Sequence, residues 1–323
     1  MFAHIIPRVY QKSWHSANGP KNVYYFDNNC LDHPISSNGN NIDKKFGEND
    51  FYNITAQDNE NGLCANELEL EEYFSNTIEN KFGMILQSNI FECLESKSQI
   101  SGNLQVISAE ELKETPFEQD LLDFIILQQL RIYDNFNAID NGNIETLLEC
   151  IYNFLLQKKA ISITYEELLV ELQNSNFKKS IWKSILLDCK DKDYSFLALA
   201  RNELLKNCNL TFLYIKDEIK TRFILSDNPI IWNSGKNKKY QELESGIFFP
   251  IKPNCLVAYL NYGRDDIKRG DAICLFPKMQ FIKYINCILL QQSKKQIGFM
   301  NKDVKNHFSQ EFDKIMDWDA MFK

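Results

Sequence analysis

Apolar residues recur along this chain at two different spacings, and the change from one to the other divides it into parts. Between Glu67 and Leu86 they fall at Leu68, Tyr73, Phe74, Ile78, Phe82 and Leu86, the three-to-four spacing of one helix face. Glu69, Glu71, Glu72 and Glu79 fill the remaining positions and read as the solvated side of that helix. Ser108 with Glu111 three places on is a capping box that opens a short helical turn. The stretch Phe117 to Arg131 predicts the central helix, with Phe117, Leu121, Phe124, Gln128 and Arg131 nearly in line. Further helices are expected over Ile144 to Leu156, after the Thr164 cap from Tyr165 to Leu172, over Lys178 to Cys189, and over Tyr194 to Asn207.

Beyond residue 208 the spacing shortens to strand-like runs. Thr211 to Ile215 predicts a strand, and Arg222 to Leu225 is expected to pair with it as a hairpin. Gly246 to Ile251 and Cys255 to Leu260 predict two more, with Pro250 and Pro253 restricting pairing to edges or bulges. At the other end, Asn22 to Asp27 is a short strand, followed by a loop rich in Asn, Ser and Gly that a second strand crosses near Lys45 and Phe46. Met279 to Leu290 and Lys302 to Ile315 read as helices. The expected fold is α+β: one domain over 1–323, with β-containing segments 1–55 and 208–262, a helical insertion 66–207, and C-terminal helices 278–318. In this arrangement the N-terminal strand joins the later strands in one sheet.

Composition narrows the function classes. With 323 residues, 44% of them hydrophobic, the chain can bury a large core. A net charge of −8 gives the surface as a whole no attraction for nucleic acid, although a local basic groove is compatible with it. The nine cysteines are scattered and never closely paired, which fits reduced thiols better than a zinc site or a disulfide framework. No apolar run approaches the ~20 residues that span a bilayer, so a soluble, cytoplasmic protein without a membrane partner is expected.

Three places carry candidate chemistry. Arg222 to Trp232 is an apolar run broken by Ser226-Asp227-Asn228-Pro229, a corner that holds small polar groups at the end of a strand. The central helix turns from apolar to polar at Gln128 and Arg131, which need partners if they are buried; Arg suits a carboxylate or a phosphate. The N-terminus sets His4 ahead of a helix started by Pro7 that carries Tyr10 and Trp14 one turn apart. Histidine is the side chain best suited to moving protons near neutral pH.

These pieces occur in a fixed order: His4-x-x-Pro7-x-x-Tyr10, Asp50-Phe51-Tyr52, Phe124-x-x-x-Gln128-x-x-Arg131, Phe223-x-x-Ser226-Asp227-Asn228-Pro229, Phe249-Pro250-x-x-Pro253 and, more weakly, Asn286. The order resembles the bacterial family filed as domain of unknown function 4238, over roughly residues 4 to 295. The chain departs from that pattern at Ile132-Tyr133, Leu225 and Ile251-Lys252. The resemblance implies a shared fold and motif set and no chemistry. Two readings follow. In one, the chain is a phosphodiesterase or nuclease-type toxin or defence effector acting on a nucleic acid or nucleotide. His4, Arg131 and Asp227 are then catalytic, while Tyr10, Gln128, Ser226 and Asn228 bind substrate; Asp227 could orient His4 or hold a divalent metal, for which the chain carries no ligand spacing. In the other, a non-catalytic binding or regulatory module uses the same residues as a structural polar network. The first requires His4, Arg131 and Asp227 to converge.

Overall fold

The computed structural model describes residues 2–14, 23–32, 34–35, 46–60, 63–112, 117–132, 152, 164, 166–167, 170, 175–191, 195–233, 246–260, 270–300 and 302–308. The helix expected over Ile144 to Leu156, all but Tyr152, and the Lys-rich loop after Asn233 fall outside these residues, as does the second half of Lys302 to Ile315, whose first half holds only a 3-10 turn, Lys305–His307, in place of the expected helix. The strands are β1 Phe2–His4, β2 Tyr24–Asp27, β3 Gly47–Asn49, β4 Leu104–Ile107, β5 Asn209–Tyr214, β6 Leu225–Ser226, β7 Ile231–Asn233, β8 Gly246–Lys252, β9 Cys255–Leu260, β10 Ala272–Leu275 and β11 Gln296–Phe299. The helices are α1 Arg8–Lys12, α2 Ala56–Glu60, α3 Glu69–Tyr73, α4 Asn80–Gln87, α5 Ile90–Ser98, α6 Ala109–Leu112, α7 Phe117–Arg131, α8 Ser175–Asp188, α9 Phe196–Asn207 and α10 Met279–Gln292. A π-helical turn, Phe74–Glu79, joins α3 to α4. The fold is α+β, as the pattern predicts.

The strands form three sheets. The largest runs β4-β10-β5-β9-β8-β7 and is antiparallel except where β10 lies parallel to β5. Its strands β5, β8, β9 and β10 are buried along almost their whole length, which is why they read as continuous apolar runs. Pro250 is accommodated by a bulge between Pro250 and Lys252. The N-terminal strand does not join the large sheet, as the expected single sheet required; β2 pairs with β11, whose other neighbour is β6, in a second sheet, so that Phe26 faces Ile297 and Ile297 faces Ser226. β1 pairs with β3 in a separate ribbon. One apolar core gathers α1, α4, α7 and α8 against the large sheet, and a second packs α10 between that sheet and β2-β11-β6.

The expected hairpin of Thr211 to Ile215 with Arg222 to Leu225 does not form. β5 pairs with β9 and β10 instead, and β6 pairs with β11. The backbone of Arg222–Ile224 has other partners. The Arg222 N–H donates to His307 Nδ1 (3.0 Å) and the Phe223 N–H to the Pro253 carbonyl (2.9 Å). Trp14 Nε1 donates to the Phe223 carbonyl (3.2 Å), and Asn286 bonds both the Arg222 carbonyl (2.8 Å) and the Ile224 N–H (3.0 Å). With its buried backbone groups met in this way, the segment needs no neighbouring strand. No helix among the described residues is long and apolar enough to cross a membrane.

Candidate functional site

The corner is held through the main chain. Asp227 accepts three backbone N–H groups, from Lys294 (2.9 Å), Lys295 (2.7 Å) and Gln296 (3.0 Å), where the chain leaves α10 and enters β11. Ser226 Oγ donates to the Leu289 carbonyl (3.2 Å) and accepts the Asn228 N–H (3.1 Å). Gln292 Nε2 donates to the Asn228 carbonyl (2.6 Å), and Asn228 Nδ2 returns a bond to the Gln292 carbonyl (3.4 Å). Tight sequence packing of small polar residues therefore fastens the end of β6 to the C-terminus of α10. Both Asp227 oxygens are engaged by main-chain N–H groups. Among the described residues no group of three His, Cys, Asp or Glu could hold one.

Gln128 and Arg131 stand elsewhere, at the C-terminal end of α7, and both are 1% exposed. Arg131 Nη1 and Nη2 donate to Glu79 Oε1 (3.2 and 3.3 Å), and Arg131 Nε donates to the Tyr52 hydroxyl (3.2 Å). The guanidinium carbon lies 4.2 Å from the centre of the Phe74 ring and 5.3 Å from that of Tyr52, a cation–π cradle. Tyr52 reaches it from a turn made by Asp50, whose φ of 54° an Asp tolerates better than most residues do. Its hydroxyl also donates to the Arg131 carbonyl (3.3 Å), and burial pushes the phenol up to about 12. Trp182 Nε1 donates to the Leu130 carbonyl (2.6 Å), so two aromatic side chains satisfy the last carbonyls of α7. Gln128 Nε2 donates to the carbonyl of Ile5 (2.9 Å), the residue after His4.

Tyr10 serves neither group directly. Its hydroxyl donates to the Pro250 carbonyl (2.5 Å), and its ring packs edge-on against Trp14 and Phe82. Burial holds its phenol well above the ordinary range. His4 ends β1, opposite Gly47, and its side chain lies outside the described part of the structure. The seven candidates thus fall into sets with different partners: Ser226, Asp227 and Asn228 on α10 and β11, Gln128 and Arg131 between α7, the π turn and the strand of His4, and Tyr10 on β8.

The acidic run on the helix after Glu67 is not uniformly solvated. Glu79 bonds Arg131 and keeps only 19% of its side chain exposed. Glu71 is half-buried, and its Oε2 has no hydrogen-bond partner among the described residues. Burial pushes both carboxyls up; the Arg131 charge pulls them down, and for Glu71 the neighbouring Glu79 raises it further. Gln128 Oε1 is a second buried acceptor left without a partner there. A buried unmet acceptor costs about 1–3 kcal/mol, so a proton or a donor supplied from outside would be favoured. Arg8, exposed on α1, adds a cation whose field reaches Glu79. The centre combines a buried cation, two carboxyls with raised proton affinity, and unmet acceptors.

The model of the family described as protein of unknown function (DUF4238) matches residues 3–303. No curated protein and no solved structure matches the chain. The match takes in β1, the π turn, the end of α7, the corner and Asn286, and the chain belongs to this family.

Proposed function

We propose that the chain is a hydrolase of phosphate-containing substrates, a nucleic acid or nucleotide, whose acid–base group is Glu71. The observation that carries this reading is the state of that carboxyl near the Arg131–Glu79 pair: half-buried, raised in proton affinity, and holding an oxygen with no partner among the described residues. A carboxyl tuned towards neutrality can protonate a leaving oxygen or take a proton from water. Arg131 serves here as the buried counter-ion that positions Glu79, since its charge is already engaged there. The exposed Arg8, whose charge reaches Glu79, is the cation placed to meet a phosphate. His4 remains the second candidate proton carrier on its backbone position, because Gln128 holds the adjoining Ile5 carbonyl. Asp227 has no part in the chemistry. A nuclease-type toxin or defence effector of a bacterial cytoplasm is the setting that suits such an activity.

The test compares wild type with Glu71→Gln, His4→Ala and Asp227→Ala on RNA, single- and double-stranded DNA and a chromogenic phosphodiester, with and without Mg²⁺ or Mn²⁺, beside thermal melts. Glu71→Gln should lower kcat by about 10²–10⁴-fold, the usual contribution of a general acid or base, without loss of fold. A wild type inert on every substrate, or a Glu71→Gln variant at full rate, overturns the reading. The alternative is a non-catalytic binding or regulatory module in which the whole polar set is structural. The 1% exposure of Arg131 favours it, and inert but well-folded wild type would be its signature.

A further inference from the structure

Residues 304–308 lie beyond the family match and dock onto the segment that feeds the corner. Lys305–His307 form a 3-10 turn flanked by Val304 (0% exposed) and Phe308 (9%), both seated in the second core. The His307 ring lies 4.3 Å from that of Phe299 on β11. Its Nδ1 accepts the Arg222 N–H at 3.0 Å, which requires a neutral imidazole with its proton on Nε2. Asn286 Nδ2 ties the same region together, donating to the carbonyls of Arg222 and His307 at 2.8 Å each. The 3-10 turn and α10 together occupy the place of a strand partner for Arg222–Ile224.

We propose that residues 304–308 are an acid-released latch, in which a proton on His307 Nδ1 replaces the acceptor of the Arg222 N–H with an opposing donor and lifts the turn. The Arg222 N–H then loses its acceptor, and Arg222–Ile224 is left to its bonds with Trp14, Pro253 and Asn286. The charged groups that face the ring are Asp303 on its own segment, Arg222 on the segment it holds, and Lys283 on α10; Phe299 and Asn286 complete its surroundings without charge. Burial lowers the imidazole to about 4; Asp303 opposes that shift, while Arg222 and Lys283 add to it. Because the folded value lies below the ordinary one near 6.5, the contribution of the latch is complete above that pH and is lost as pH falls through about 4.

The test is hydrogen exchange at the Arg222 and Ile224 amides from pH 7 to 3.5, referenced to amides of β9, in wild type and in His307→Gln. A glutamine carbonyl can still accept the Arg222 N–H but does not titrate. Wild type should lose protection by roughly tenfold per pH unit as pH falls from about 6.5 to about 4, the interval between the released and the latched imidazole, and level off below it, while His307→Gln should stay flat. Equal loss in both proteins, or no loss in wild type, overturns the latch. If His307→Gln fails to fold, imidazole NMR on the wild type decides: an Nε2–H tautomer titrating near 4 supports the latch, and a ring titrating near 6.5 sinks it.

Discussion

The corner at Ser226-Asp227-Asn228 and the centre around Arg131 contain similar polar chemistry but use it in opposite ways. In the corner, polar side chains bond mainly to the main chain: Asp227 meets three N–H groups, and Ser226 and Asn228 meet the last carbonyls of α10. In the centre, main-chain carbonyls are met too, but the buried Arg131 charge is paired with the side chains of Glu79 and Tyr52, and Glu71 Oε2 and Gln128 Oε1 are left over among the described residues, where the corner leaves over the neutral Gln296 Oε1. A polar group that caps backbone has done its work when the chain folds. A charged cluster with unmet acceptors retains a capacity to bind a proton or a ligand. What separates the two is the identity of their partners, which the local sequence does not record.

The largest expected effect comes from breaking the centre. Arg131→Met leaves Glu79 half-enclosed without its cation, and removing one partner of a buried pair costs about 3–5 kcal/mol. Urea denaturation should register that loss as a lower midpoint. The double variant Arg131→Met with Glu79→Leu should recover most of it, since buried ion pairs are often replaceable by apolar residues of similar size. Failure of the double variant to recover would mean that Tyr52 and Gln128 depend on the guanidinium as much as Glu79 does, and the centre would then be a framework like the corner.

Asp227→Ala is expected to be milder, about 2 kcal/mol, because two of the three freed N–H groups belong to the exposed Lys294 and Lys295 and can reach water. Exchange at the Lys294, Lys295 and Gln296 amides should quicken, and any hydrolytic rate should change only as the folded fraction does. A loss of rate at unchanged stability would break the comparison and make the corner a site.

These contrasts also mark what the sequence can disclose. The spacing of Phe117, Leu121, Phe124, Gln128 and Arg131 places all five on the buried side of α7, and the Ser108 and Thr164 capping bonds form as their spacing predicts. The corner was visible because Pro229 and its polar neighbours break an apolar run. Glu71 and Glu79 were not, for a geometric reason: eight residues along a regular α-helix turn two side chains about 80° apart. The π turn Phe74–Glu79 winds with more residues per turn, and both carboxyls end up within the field of Arg131. Nor does any local pattern announce that β6 pairs with β11, because Gln296–Phe299 is four residues long and carries a glycine. The hairpin expected for Arg222 to Leu225 gave way to Trp14 after α1, Asn286 of α10 and His307 of the 3-10 turn, which only the folded chain assembles.

The smallest effect separates the two regions most sharply. Glu71 binds a proton more tightly in the folded chain than in the unfolded one, because burial disfavours its charge and Glu79 adds to the cost. The folded state therefore holds more protons across the interval between the two values, and stability falls as pH rises through it. Glu71→Gln removes that charge while keeping the shape, and should raise stability slightly at pH 7. The same substitution should flatten the pH dependence of the melting temperature in the weakly acid range. If Glu71 carries chemistry, the variant gains stability while losing rate, the trade-off expected where a fold keeps an unfavourable charge for use. A variant that loses stability instead would show that the carboxylate has found an internal partner, and the centre would join the corner as structure.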